Sequence, residues 1–131
     1  MCIRDRYSTL FDANTVLGDW LRSKPVTVSV NDIVFLHAGF STEVIDKNIS
    51  IEDVNNHFRN DLIGKDMAII EQDSVLAELY YDNGPIWYRG YVDGESFTEE
   101  DADYILEKLG KKHIVVAVSY THLTLPTICS V

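Results

Sequence analysis

Two short stretches of this sequence carry residue types that can do chemistry. The first is Val34-Phe35-Leu36-His37-Ala38-Gly39-Phe40-Ser41. A histidine that directly follows four apolar residues sits where a buried strand meets its loop. Ala38-Gly39 let the backbone turn sharply and leave room beside the imidazole. In open α/β sheets, ligands collect in the loops at strand C-terminal ends. An imidazole there can bind a divalent metal through one nitrogen while a backbone carbonyl orients the other. The competing reading is a core histidine satisfied by hydrogen bonds. The second stretch is Gly84-Pro85-Ile86-Trp87-Tyr88-Arg89-Gly90. Here a rigid turn precedes an aromatic pair and a lone arginine. The Arg89 guanidinium is a planar fork that matches phosphate oxygens, and Trp87 or Tyr88 can pack its stem. The alternative is an arginine paired with one of the many acidic side chains. His57 reads as a solvated helix residue and His113 as a surface residue ahead of a strand. Glu99-Glu100-Asp101 reads as helix N-terminal charge, not as a catalytic carboxylate pair. There is no glycine-rich phosphate loop, no HExxH and no GxSxG.

The elements that must position these residues follow from periodicity. Leu10 to Leu21 places apolar residues at helical spacing. Val26-Thr27-Val28-Ser29-Val30 alternates as a strand with one covered face. After the Asn31-Asp32 turn, Ile33-Val34-Phe35-Leu36 is a continuous apolar run, as in a strand buried on both faces. Ser50 with Asp53 opens a helix that runs to about Leu62, with Gly64 as its stop. Met67 to Tyr81 reads as a further helical stretch. Thr98 opens another helix, whose inner face carries Ile105, Leu106 and Leu109. Gly110 ends it, and Lys111-Lys112 complement its negative end. Ile114-Val115-Val116 begins a new strand. The fold class is α/β.

Both ends of the chain resemble something else. Val118-Ser119-Tyr120-Thr121-His122-Leu123-Thr124-Leu125-Pro126-Thr127 resembles the translation of a transposase mosaic-end sequencing adapter. Met1 to Arg6 resembles the translation of its reverse complement. The expectation is therefore adapter-derived sequence at 1–6 and 118–131 around an internal gene fragment, residues 7–117. Cys2 and Cys129 fall in the adapter-like ends, so the remainder offers no disulfide framework and no cysteine ligand. Removing the ends takes Lys+Arg from 11 to 9 and Asp+Glu from 21 to 20, and the net charge moves from -10 to -11. A chain this acidic is a poor non-specific binder of nucleic acid or anionic membrane. At 46% hydrophobic, with seven Tyr and five Phe, the composition is that of a globular protein. No apolar run approaches the ~20 residues of a transmembrane helix. A cytoplasmic location is the favoured expectation.

Taken together, four ordered blocks resemble the calcineurin-like metallophosphoesterases, and most of all their bacterial protein-phosphatase-like members, including the Shewanella-like phosphatases. The blocks are Leu17-Gly18-Asp19-Trp20-Leu21-Arg22, Val34 to Ser41, Gly84 to Gly90, and Tyr104 to Leu109 with His113 to Val116. The resemblance implies part of a calcineurin-like αββα sandwich that lacks its N-terminal half and last strands. It implies, in the parent protein, two divalent metal ions (Mn, Fe or Zn) that activate a bridging hydroxide for attack on a phosphate monoester; the fragment is not expected to bind them stably. His37 would be a metal ligand and Arg89 a substrate-binding residue. Ala38 departs from the glycine usual after that histidine. The upstream Gly-Asp-x-His-Gly, Gly-Asp-x-x-Asp-Arg-Gly and Gly-Asn-His-Glu blocks are absent, so no catalytic residue is retained and the fragment itself is expected to be inactive. Implied substrates are a phosphorylated protein or a small phosphoester. Two alternatives remain: a non-catalytic acidic α/β interaction module, and a nucleotide phosphohydrolase of the same superfamily. Apolar faces meant for missing strands predict poor solubility.

Overall fold

The computed structural model describes residues 9–93 and 97–117. The adapter-like stretches 1–6 and 118–131 lie outside the described residues. Strands β1 (Thr27–Val30) and β2 (Ile33–Leu36) pair antiparallel, with Val30 opposite Ile33 and Thr27 opposite Leu36. Asn31 and Asp32 join them, with Asn31 at φ 53°, a left-handed value that asparagine tolerates better than most residues. Strand β3 (His113–Val116) lies parallel to β2, with Ile33 opposite His113 and Leu36 opposite Val116. A parallel pair needs a long crossover, and here the helical residues between β2 and β3 supply it. The sheet order is β1-β2-β3.

The helices are α1 (Val16–Arg22), α2 (Thr42–Asp46), α3 (Ile51–His57), α4 (Met67–Ile70), α5 (Ser74–Tyr80), α6 (Gly90–Asp93) and α7 (Glu99–Leu109). Helix α3 continues as a π-helical turn over Phe58–Leu62. His57 is not merely solvated: its Nδ1 lies 2.8 Å from Asp61 Oδ2, at the start of that turn. The expected single stretch from Met67 to Tyr81 is two helices. Asp73 interrupts it because its carboxylate accepts from Val75 N and Leu76 N, which starts a new helix there.

Helices α3 and α7 start where their capping boxes put them. Ser50 and Asp53 exchange hydrogen bonds at one start, Thr98 and Asp101 at the other. Gly110 closes α7 in the left-handed conformation, at φ 63° and ψ 38°. The Ser50 hydroxyl holds the Asp53 carboxyl below its ordinary value of 3.8, and the Thr98 backbone N–H does the same for Asp101. A carboxyl depressed in the folded state contributes stability that is complete above its unfolded value. That contribution disappears as pH falls through the lower folded value. Acid titration followed by far-UV circular dichroism should therefore lose helix below about pH 3.8. The loss should be shallower in an Asp53→Asn/Asp101→Asn double variant.

The core lies on one face of the sheet. Val34, Leu36 and Ile114 point into it and meet Phe40, Val44, Ile45, Val54, Leu79 and Ile105. The opposite face is open: Val28, Val30 and Phe35 are 41%, 50% and 38% exposed. Strand β2 was expected to be covered on both faces; Val34 and Leu36 on one side are buried, whereas Phe35 on the other is 38% exposed. Helix α1 also leaves Val16, Trp20 and Leu21 exposed. The α/β class holds. Where part of an αββα sandwich lacking its N-terminal half and last strands was expected, the described residues form one three-stranded sheet with helices against its inner face.

One side chain outside the sheet secures the start of β1. Asn55 Oδ1 accepts from Val26 N at 2.9 Å and from Thr27 N at 3.0 Å, and Asn55 Nδ2 donates to Thr27 O at 2.8 Å. Thr27 is buried, so these backbone groups have little access to water if Asn55 is lost. Asn55→Ala should cost about 1–3 kcal/mol in urea unfolding, the usual cost of buried groups left unsatisfied.

Candidate functional site

The sheet delivers His37 one residue past the end of β2. Its carbonyl accepts from Ala117 N at 3.0 Å, so the β2–β3 register continues one step beyond Leu36 and Val116. The next residue, Ala38, donates its N–H to Pro85 O at 2.9 Å. That bond joins the two chemistry-bearing stretches, which are far apart in the chain. Phe40 then donates its N–H to the Tyr91 hydroxyl at 3.2 Å, and the same hydroxyl donates to Phe40 O at 3.0 Å. Ser41, buried, ends the turn by capping α2 through Val44 N. The half-buried His37 thus sits at a strand end, on a turn held from three sides.

Gly39 does not leave open space beside the imidazole, as its sequence suggested. It adopts φ +156°, and a Cβ there would stand 2.9 Å from Tyr91 Cε2 and 3.0 Å from Tyr88 Cδ1. The room is filled by aromatic rings. Tyr88 and Tyr91 meet edge to face at 5.5 Å, and Tyr91 packs on Phe97 at 4.4 Å. Burial pushes the Tyr88 phenol above its ordinary value, and the negative charges of Glu43 and Asp101 push in the same direction. Tyr88 is therefore a neutral hydroxyl at physiological pH.

Arg89 folds back on its own turn. Its Nη1 donates to Trp87 O and Tyr88 O, both at 3.1 Å. Among the described residues no carboxylate pairs with it, and no partner occupies Nε or Nη2. The guanidinium thus keeps unused donors. Trp87, one of the two aromatics (with Tyr88) offered as packing for the arginine stem, is 57% exposed. No hydrogen bond links the His37 and Arg89 side chains. What joins the two stretches here is backbone, through Ala38 and Pro85.

Tyr91 and Phe97 lie beyond the Gly84–Gly90 stretch that residue types single out. The available signal was the close spacing of Tyr88 and Tyr91; the structure places Tyr88 just ahead of α6 and Tyr91 within it. Among the described residues no group of three or more His, Cys, Asp or Glu is placed to hold a metal ion. The residues present therefore do not fit the two divalent ions expected above. Nor do the described residues include a cysteine that could act as a nucleophile. No helix among them is long and apolar enough to cross a membrane.

No protein-family model matches the chain, and no curated protein matches it. Solved structures do. One is a cold-active protein-tyrosine phosphatase of a psychrophile, Shewanella sp., at 37% identity and TM-score 0.76, covering 84% of this chain and 33% of that one. Another structure titled cold-active protein tyrosine phosphatase matches at 35% identity and TM-score 0.78, covering 90% of this chain and 35% of that one. A point mutant of a cold-active protein tyrosine phosphatase matches at 37% identity and TM-score 0.76. These matches correct two expectations. The calcineurin-like metallophosphoesterase assignment gives way to proteins titled protein-tyrosine phosphatases. The dinuclear centre goes with it, since the described residues hold no ligand group for it. Over most of its length the chain is similar to protein-tyrosine phosphatases, and it spans about a third of the structures it matches.

Proposed function

We propose that this chain is part of a phosphatase that hydrolyses phosphate monoesters, with phosphotyrosine in proteins as the substrate class. One observation carries the reading. The two stretches that hold the chain's chemically capable side chains converge at the C-terminal end of β2, through the 2.9 Å bond from Ala38 N to Pro85 O. Open α/β sheets collect their ligands at that end. The similarity to proteins titled protein-tyrosine phosphatases supports the same reaction class. Within it, Arg89 would bind phosphate oxygens through its unused N–H donors. His37 would supply an imidazole that donates to a phosphate oxygen or exchanges a proton with it.

Phosphate binding is testable on the chain alone, without assuming turnover. Inorganic phosphate titrated into the labelled 131-residue chain should shift the NMR signals of His37, Ala38 and Arg89 together. Arg89→Ala should weaken that binding at least tenfold, in line with the loss of a charge-assisted bond of about 1.5–3 kcal/mol. A titration that leaves the His37–Phe40 signals unmoved overturns the reading.

A further inference from the structure

We infer that Tyr91 is a positioning residue for His37, and that its hydroxyl fixes the turn that presents the imidazole beside the Arg89 segment. The inference rests on the phosphate-binding reading of that site and deepens it. Phe40 lies in the coil between β2 and α2, where no strand ladder serves its backbone. Both of its polar backbone groups are instead tied to one side-chain oxygen, the N–H donating to Tyr91 at 3.2 Å and the carbonyl accepting from it at 3.0 Å.

Tyr91 lies two residues beyond Arg89, in α6. The turn after β2 is therefore gripped twice by the stretch that carries the arginine: at its second residue by Pro85 and at its fourth by Tyr91. Between these grips the Tyr91 ring lies against Gly39. Phe97 backs the ring at 4.4 Å, and Tyr88 meets it edge on at 5.5 Å. The hydroxyl's position is thus set by ring packing against Phe97, Tyr88 and Gly39. Any displacement of the 90–91 backbone moves Phe40, and with it the loop that begins at His37. Tyr91 touches no reacting atom in this scheme. It acts through the geometry of His37.

Removing only the hydroxyl separates positioning from packing. Tyr91→Phe keeps the ring stack, so its unfolding midpoint should stay close to that of the unmodified chain. Its Phe40 amide should exchange with solvent faster by on the order of tenfold, the local consequence of losing a bond of ordinary net strength. The His37 ring-proton shifts should move, and affinity for inorganic phosphate should fall several-fold. Tyr91→Leu, which also removes the ring, should lower the unfolding midpoint as well. Unchanged Phe40 exchange and unchanged His37 shifts in Tyr91→Phe overturn the inference. If the unmodified chain binds no phosphate, the phosphate-binding reading fails, while Phe40 exchange and the His37 shifts still decide whether Tyr91 positions the turn.

Discussion

Replacing Gly39 by alanine should be among the most damaging single changes in this chain, although it adds one methyl group. The new Cβ would sit 2.9 Å from Tyr91 Cε2 and 3.0 Å from Tyr88 Cδ1. Neither ring has an easy retreat: Tyr91 is bonded to Phe40 and packed against Phe97, and Tyr88 meets Tyr91 edge on. The backbone value of φ +156° adds strain for any L side chain. Overpacking of this kind costs about 1–3 kcal/mol and a sparsely populated backbone conformation about the same again, so a total of about 2–6 kcal/mol is expected. Gly110→Ala is the control. Its φ of +63° carries strain, but a Cβ there meets nothing within 4 Å, so about 1 kcal/mol is expected. Urea unfolding of the two variants separates the effects. Equal midpoints would show that the rings yield and that the turn is not tightly packed.

Truncating Phe40 should cost about 3–5 kcal/mol, the usual range for removing a buried aromatic side chain. Phe40 is 1% exposed and sits in the core with Val34, Val44 and Leu79. Its backbone is also the part of the turn that Tyr91 holds, so the cavity would open directly beneath the His37 loop. A loss of that size is a large part of the about 5–15 kcal/mol that stabilises an ordinary domain. Phe40→Ala should therefore shift the urea midpoint strongly and abolish phosphate-induced NMR shifts. Phe35→Ala, five residues earlier on the open face of the sheet, removes the same side chain at 38% exposure. It should leave the midpoint nearly unchanged and reduce the binding of a hydrophobic dye, since it removes part of an exposed apolar face. Similar losses in both variants would contradict the assignment of an inner and an outer face.

The local grammar of the chain was readable without coordinates. Alternation in Val26 to Val30, the Asn31-Asp32 turn and the apolar run Ile33 to Leu36 specified a hairpin, and the hairpin is present. Ser50 with Asp53, and Thr98 with Asp101, specified two helix starts, because a side-chain oxygen there satisfies a backbone N–H that has no partner within the helix. Gly110 specified a helix end for the converse reason. These signals lie within a few residues of one another, so their physics is complete in the sequence. The break at Asp73 is equally local, but it was outweighed by the helical composition of residues 67–81.

Function was harder to read, for a physical reason. His37 and Arg89 could be singled out by residue type and by position at the ends of segments. Their superfamily could not be settled that way: four matching blocks suggested metal chemistry, but the described residues assemble no metal-ligand group. Solved structures of matching shape redirected the assignment toward proteins titled protein-tyrosine phosphatases.

By itself the sequence determined the α/β class, the strand and helix boundaries set by turns and caps, and the two stretches able to do chemistry. Only the tertiary structure decided that those stretches meet, because their meeting depends on contacts between residues far apart in the chain: the Ala38 to Pro85 backbone bond and the packing of Gly39 against Tyr88. Only the tertiary structure showed that the space beside Gly39 is filled by Tyr88 and Tyr91, since a glycine's neighbours across the fold leave no trace in its own segment. It likewise decided which face of β2 is buried: a continuous apolar run looks the same whether one side is covered or both.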